Sequence, residues 1–207
     1  MTRAGDITAR FAGGERLVMV DPGQAGLPDD LAGADAVFID REGTGMTRAD
    51  AAALVDSAAH RGLASVIRGN GFGSAELMTC ASLSPDAVVL PQLKTVEELR
   101  SAVPEVAERT AIIAQIETVE AVAHLAEFAT VDGVAAFLIG PNDLATAMGH
   151  RGAPDHPEVI AAVEGVATDL SAAGRPFGLP APSRATLDTW TARGAQLFYV
   201  PLAAFWR

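Results

Sequence analysis

Short apolar runs recur along the chain, each closed by glycine, proline or a charged residue, and most are followed by apolar positions at helical spacing. The strand candidates are residues 16–22, 36–42, 64–68, 86–92, 112–118, 134–139, 176–180 and 196–201. They are rich in Val, Ile and Leu without strict alternation, the pattern of parallel strands buried on both faces. Between them the spacing predicts helices. One opens at Thr47 or Arg48, presents Ala51, Leu54, Val55 and Ala58 on one face, and stops at Gly62. Ser74 is expected to cap the next, which carries Leu77, Met78 and Ala81. Thr95 with Glu98 forms a capping box for another. Val119, Val122, Leu125, Ala126 and Phe128 predict one helix joining the fifth and sixth strands. A long helix starts at His156-Pro157-Glu158 and runs to Gly174, and a last one spans 183–193. A brief helical piece is expected around Pro28 to Leu31, and residues before Glu15 read as a short helix or an arm.

Strand-helix alternation with no break between domains predicts a single α/β domain over residues 1–207, a (β/α)8 TIM barrel. The alternative is an open doubly wound sheet, but no Gly-x-Gly-x-x-Gly motif opens a helix after the first strand. The glycines at 69, 71 and 73 follow the third strand with the wrong spacing. Little sequence follows the eighth strand, so the barrel reads as a short variant lacking a full C-terminal helix. An uncovered flank would expose Leu202, Phe205 and Trp206, and homo-oligomer formation is the expected remedy.

Composition narrows the functional classes. A net charge of −11 opposes nucleic acid or an anionic membrane as partner. No apolar run reaches spanning length and residues 1–6 have no signal-peptide core. The single Cys80 excludes an internal disulfide, so a cytoplasmic location is expected, with Cys80 a small buried side chain.

In a barrel the strand C-termini converge on one mouth. They bring together Asp21, Asp40 with Glu42, Arg68 with Asn70, Gln92, Gln115 with Glu117, and Asn142 with Asp143. Glu117 and Asp143 leave neighbouring strands at the same end, and two hard oxygen ligands so placed suit a divalent ion with open positions for substrate. The competing reading is that such acids cap the helices that follow; for Glu117 it is the weaker one, since Thr118 is the better cap. Arg68 could hold a substrate carboxylate or pair with a nearby acid, and Arg41 could point either way. None of His60, His124, His150 and His156 lies on a strand end.

The runs Gln115-Ile116-Glu117-Thr118, Val131-Asp132-Gly133-Val134 and Ile139-Gly140-Pro141-Asn142-Asp143-Leu144-Ala145, with Met148-Gly149 and His156-Pro157-Glu158-Val159, resemble the HpcH/HpaI aldolase and citrate lyase β-subunit superfamily. Phe38 to Glu42, Val66 to Arg68 and Leu90 to Gln92 fall in matching order. The resemblance implies a (β/α)8 barrel that binds Mg2+ or Mn2+ through Glu117 and Asp143. It implies Arg68 at a substrate keto oxygen, the turn Gly140, Pro141, Asn142 and Asp143 at a carboxylate, and Gln115 in the substrate site. Asp40 and Glu42 are possible accessories. Aldolases of this type carry Asp-x-Glu-His at the end of strand two, with the His as base; here Gly43 follows Glu42, and Ser82 or a neighbour stands for the partner Asp. The implied activity is a divalent-metal-dependent carbon–carbon lyase acting on a small oxo acid, with an altered general base. The alternative is a catalytically silent barrel that binds a metal–carboxylate ligand or serves as a partner subunit.

Overall fold

In the computed structural model, which describes residues 3–23 and 26–205, the eight apolar runs close into one barrel. Its strands are β1 (Leu17–Asp21), β2 (Ala36–Asp40), β3 (Ala64–Arg68), β4 (Ala87–Leu90), β5 (Ala111–Ile116), β6 (Val134–Ile139), β7 (Phe177–Pro180) and β8 (Leu197–Pro201). Neighbours in sequence pair in parallel, and β8 pairs back onto β1. The predicted TIM barrel is the observed fold.

Successive residues of a strand point to opposite faces, and here both faces are apolar. One set, including Leu17, Met19, Phe38, Val66, Val89, Ile113 and Leu138, fills the barrel interior. Ile7 and Phe11 of α1 (Arg3–Ala12) join that cluster and close the end where the strands begin. Gln196 Nε2 ties α1 there by donating to the Phe11 carbonyl at 3.1 Å. The other set, including Val20, Ile39, Ile67, Leu90 and Ile116, packs under the helices. Gly178 is required by this packing: a Cβ there would overlap the Leu197 carbonyl on the paired strand.

The helices are α2 (Arg48–His60), α3 (Ser74–Ala81), α4 (Val96–Val106), α5 (Val119–Ala123), α6 (Leu125–Phe128), α7 (Pro141–Ala147), α8 (Pro157–Ala172) and α9 (Arg184–Ala192). Thr95 and Glu98 make the predicted capping box, and Thr47 with Asp50 makes a second. Of the two forms expected before Glu15, the chain takes the helix, because Ile7 and Phe11 have an interior to fill. Three expectations need correction. Residues 28–31 form no helix. Gly73, not Ser74, is the N-cap of α3; the Ser74 hydroxyl instead donates to Glu105 at 2.6 Å. The β5–β6 connection is two short helices that meet at His124.

At the other end, a 3-10 turn (Leu202–Ala204) follows β8. Phe205 is buried rather than exposed, since the turn folds it onto the helix layer, and Leu202 is half-buried. Trp206 lies outside the described residues. Among the described residues no helix is long and apolar enough to cross a membrane.

Candidate active site at the barrel mouth

The β2–β3 register sets Asp40 beside Arg68. Arg68 donates from Nε to Asp40 Oδ1 at 2.9 Å and from Nη2 to Oδ2 at 2.6 Å, a two-point grip that fixes the guanidinium plane. Nη1 pairs with Glu42 Oε2 at 3.0 Å. Burial works against the charged form of Arg68. The Asp40 hydrogen bonds and the charges of Asp40, Glu42 and Glu117 outweigh it, so the guanidinium stays charged. Arg68 therefore pairs with acids, as one of its two readings expected, and it also lines a cavity of about 110 Å3. Arg41 pairs with Glu76 and reaches Cys80 Sγ at 3.6 Å. Burial, reinforced by Glu76, pushes the Cys80 thiol up to about 11, so it is an inert buried side chain as expected.

Glu117 is 1% exposed although it is an acid. Gln92, at φ +57°, donates to its Oε1 from the backbone at 2.8 Å and from Nε2 at 3.0 Å. Gln115 Nε2 donates to Oε2. Gly140 makes this arrangement possible: a Cβ there would stand 2.7 Å from Glu117 Oε2 and 3.0 Å from Gln115 Nε2. Burial, opposed by the Gln92 amide and reinforced by the charges of Asp143 and Glu42, pushes the Glu117 carboxyl up to about 8. Glu42 is raised as well, by burial against the Arg68 charge, with Asp143 and Asp40 adding to it. Asp143 is exposed, and the cap of α7 is Gly140, so the capping role weighed for Asp143 falls to the glycine.

These residues fit a hard divalent cation. Glu42 and Glu117 are both pushed toward the protonated form, in part by the charge of Asp143, and a cation would relieve that repulsion. Gln115 Oε1 is buried without a partner in the cavity wall. A tighter set of ligand-type atoms lies at His150, His156 and Glu158, all within 4.8 Å of one another. The two rings stack, with centroids 3.6 Å apart and planes 14° apart. Their in-plane lone pairs then run side by side instead of converging. His150 Nε2 contacts Glu158 Oε2 at 2.8 Å, and His156 caps α8.

The mouth also contains a residue absent from the sequence reading. Tyr199 of β8 lines the same cavity, and its hydroxyl donates to Asp21 Oδ2 at 2.7 Å. Burial, then the Asp21 hydrogen bond, raise the phenol above its ordinary range. The available signal was periodicity: Leu197, Tyr199 and Pro201 share one face of the strand. Gly43, in the loop after β2, sits at φ +65°, a conformation that a side chain such as histidine adopts only at a cost.

Fold and site together define a parallel (β/α)8 barrel whose strand C-termini present several carboxylates, with Arg68 among them lining a small cavity. The HpcH/HpaI aldolase/citrate lyase profile matches residues 29–198, and the chain belongs to that family. A hydroxypyruvate/pyruvate aldolase of Cupriavidus necator is 40% identical over 104 residues, 47% of this chain and 39% of that relative. A second, from Sagittula stellata, is 28% identical over 201 residues, covering 83% of this chain and 79% of the relative. An HpcH/HpaI aldolase/citrate lyase family protein from Burkholderia cenocepacia superposes with a TM-score of 0.87 at 21% identity, covering 97% and 94% of the two chains.

Proposed function

We propose that this protein is a Mg2+- or Mn2+-dependent carbon–carbon lyase acting on a small 2-oxo acid, with decarboxylation of an oxaloacetate-like substrate as the favoured reaction. The observation that carries this reading is the meeting of buried Glu117, acid-clamped Arg68 and a cavity of about 110 Å3 at one barrel mouth. Ligand pockets for drug-sized molecules are of order 300 Å3 or more, so this one suits a few heavy atoms.

Glu117 and Asp143 are the ligands for the cation, with the donor chemistry Mg2+ and Mn2+ prefer. When bound, such an ion polarises the C2 carbonyl and takes up part of the charge that collects on its oxygen. Arg68 does the same from its own side. Its Nε, Nη1 and Nη2 each hold an acid, and the remaining N–H groups on Nη1 and Nη2 are available to the C2 oxygen. The first turn of a helix leaves amides without intrahelical partners, and in α7 Asn142 and Asp143 supply them for the substrate C1 carboxylate; Pro141 has no N–H. Gln115 Nε2 is committed to Glu117, which fixes the amide and leaves Oε1 facing the cavity as an acceptor.

Decarboxylation breaks the C3–C4 bond. CO2 leaves, the bonding pair moves between C2 and C3, and the C2 oxygen takes the charge until C3 receives a proton from water. No protein base is consumed, which suits a chain with glycine at 43. A retro-aldol cleavage would have to deprotonate a C4 hydroxyl. The test is oxaloacetate consumption with Mn2+, compared with Mn2+ alone. The expected result is an enzyme-dependent excess that disappears in Glu117→Gln. A rate equal to Mn2+ alone, together with calorimetric binding of Mn2+ and oxalate, would instead identify a silent binding barrel.

A further inference from the structure

We infer that Tyr199 sets the size limit of the substrate, its ring forming the wall that confines the cavity to 2-oxo acids without a bulky group on C3. The inference rests on the oxo-acid reading above and concerns which members of that class fit.

Phe38 of β2 and Leu138 of β6 bound the cavity from the barrel interior, beside Arg68 and Gln115. From β8, Tyr199 closes the remaining side. The β7–β8 register sets Tyr199 beside Pro180, which also lines the cavity. The ring is held from two directions. Its edge meets the Phe38 ring, with centroids 5.0 Å apart and planes at 81°. Its hydroxyl is anchored on Asp21, whose other oxygen accepts from the Gly23 amide at 2.7 Å. Phe38 in turn lies 5.8 Å from the Arg68 guanidinium carbon. The wall is thus braced against the same group that faces the substrate oxygen. Swinging the ring aside would leave a partly buried hydroxyl and carboxylate without each other, so the wall does not yield to a larger ligand.

The same bond argues against proton transfer by this phenol. Its hydrogen is committed to Asp21, so Tyr199 acts by shape. A pocket wall discriminates by about tenfold or more for each methylene it excludes.

The experiment uses the full chain with saturating Mn2+ and titrates pyruvate, 2-oxoisovalerate and phenylpyruvate by calorimetry. The readout is the ratio of the bulky ligand's Kd to that of pyruvate. In the unaltered protein and in Tyr199→Phe, which keeps the ring, the ratio is expected to stay above about ten. In Tyr199→Ala it is expected to fall at least about tenfold. Tyr199→Leu, a smaller truncation, is expected to move it in the same direction and serves if the alanine variant does not fold. Pyruvate binding with an unchanged ratio in the truncated variants would overturn the wall assignment. Failure of the unaltered protein to bind any of the three acids with Mn2+ would overturn the oxo-acid reading itself, and the wall assignment with it.

Discussion

Replacing Gly140 with alanine adds one methyl group and asks whether Glu117 must stand where it does. The backbone at 140 has φ −105°, open to any residue, so the substitution carries no conformational strain of its own. The collision is with side chains: the new Cβ would lie 2.7 Å from Glu117 Oε2, 2.9 Å from Glu117 Cβ and 3.0 Å from Gln115 Nε2. Ordinary contacts begin near 3.4 Å, so Glu117 must retreat by several tenths of an ångström. It cannot do so freely, since Gln92 grips Oε1 twice. Overpacking of this kind costs about 1–3 kcal/mol. In a chain of this size that lowers Tm by about 2–4 °C per kcal/mol. The functional effect should be larger, because a displacement approaching 1 Å at a reacting centre can cost about 100-fold in rate. The assay pairs a thermal melt with Mn2+ titration and turnover of oxaloacetate. A modest loss of Tm with a large loss of Mn2+ affinity and rate is expected. Gly165→Ala on α8, where the added Cβ meets nothing within 4 Å, should leave Mn2+ affinity as it was. Unchanged Mn2+ affinity and turnover in Gly140→Ala would refute the claim that Glu117 acts from its observed position.

Other outcomes follow from the same geometry. The Glu117 carboxyl rises from an ordinary 4.5 to about 8 in the cation-free fold, so between those values the folded chain holds a proton that the unfolded chain gives up. Stability from this group is therefore lost as pH rises through that window: the urea midpoint should fall more between pH 5 and pH 8 than in Glu117→Gln, and Mn2+ at pH 8 should restore it. Arg68→Lys keeps the charge but breaks the two-point grip on Asp40, and kcat should fall about 100-fold or more with circular dichroism unchanged. Gly178→Ala would drive a methyl group into the Leu197 carbonyl and should yield little soluble protein, whereas Thr95→Ala should cost about 1 kcal/mol by chemical denaturation through loss of the α4 cap.

The strands were legible because burial on both faces leaves a signature no other element shares at that length: each apolar run from Leu17–Asp21 to Leu197–Pro201 became a strand of the barrel. Thr95 with Glu98 was legible for a local reason, a cap formed within four residues. What stayed hidden depended on contacts across the barrel. Asp40 lies 28 positions from Arg68 in sequence, and only the parallel register makes them neighbours. Tyr199 and Asp21 meet across the seam where β8 closes on β1. Ser74 carried a good capping side chain, yet Gly73 took the position and the hydroxyl found Glu105 on the next helix. The helix before β1 was obscured because its apolar residues, Ile7 and Phe11, are too few to show a period until the barrel end they fill is known.

That helix has a consequence for traffic. With Ile7 and Phe11 seated in the floor and packed side chains above them, the barrel is filled from the end where its strands begin, and the cavity beside Arg68 lies at the other end. On the lyase reading proposed above, reactant and product would both pass through the mouth, and a departing pyruvate would meet the incoming acid at the same few contacts. Competitive product inhibition is the kinetic pattern expected from that reading.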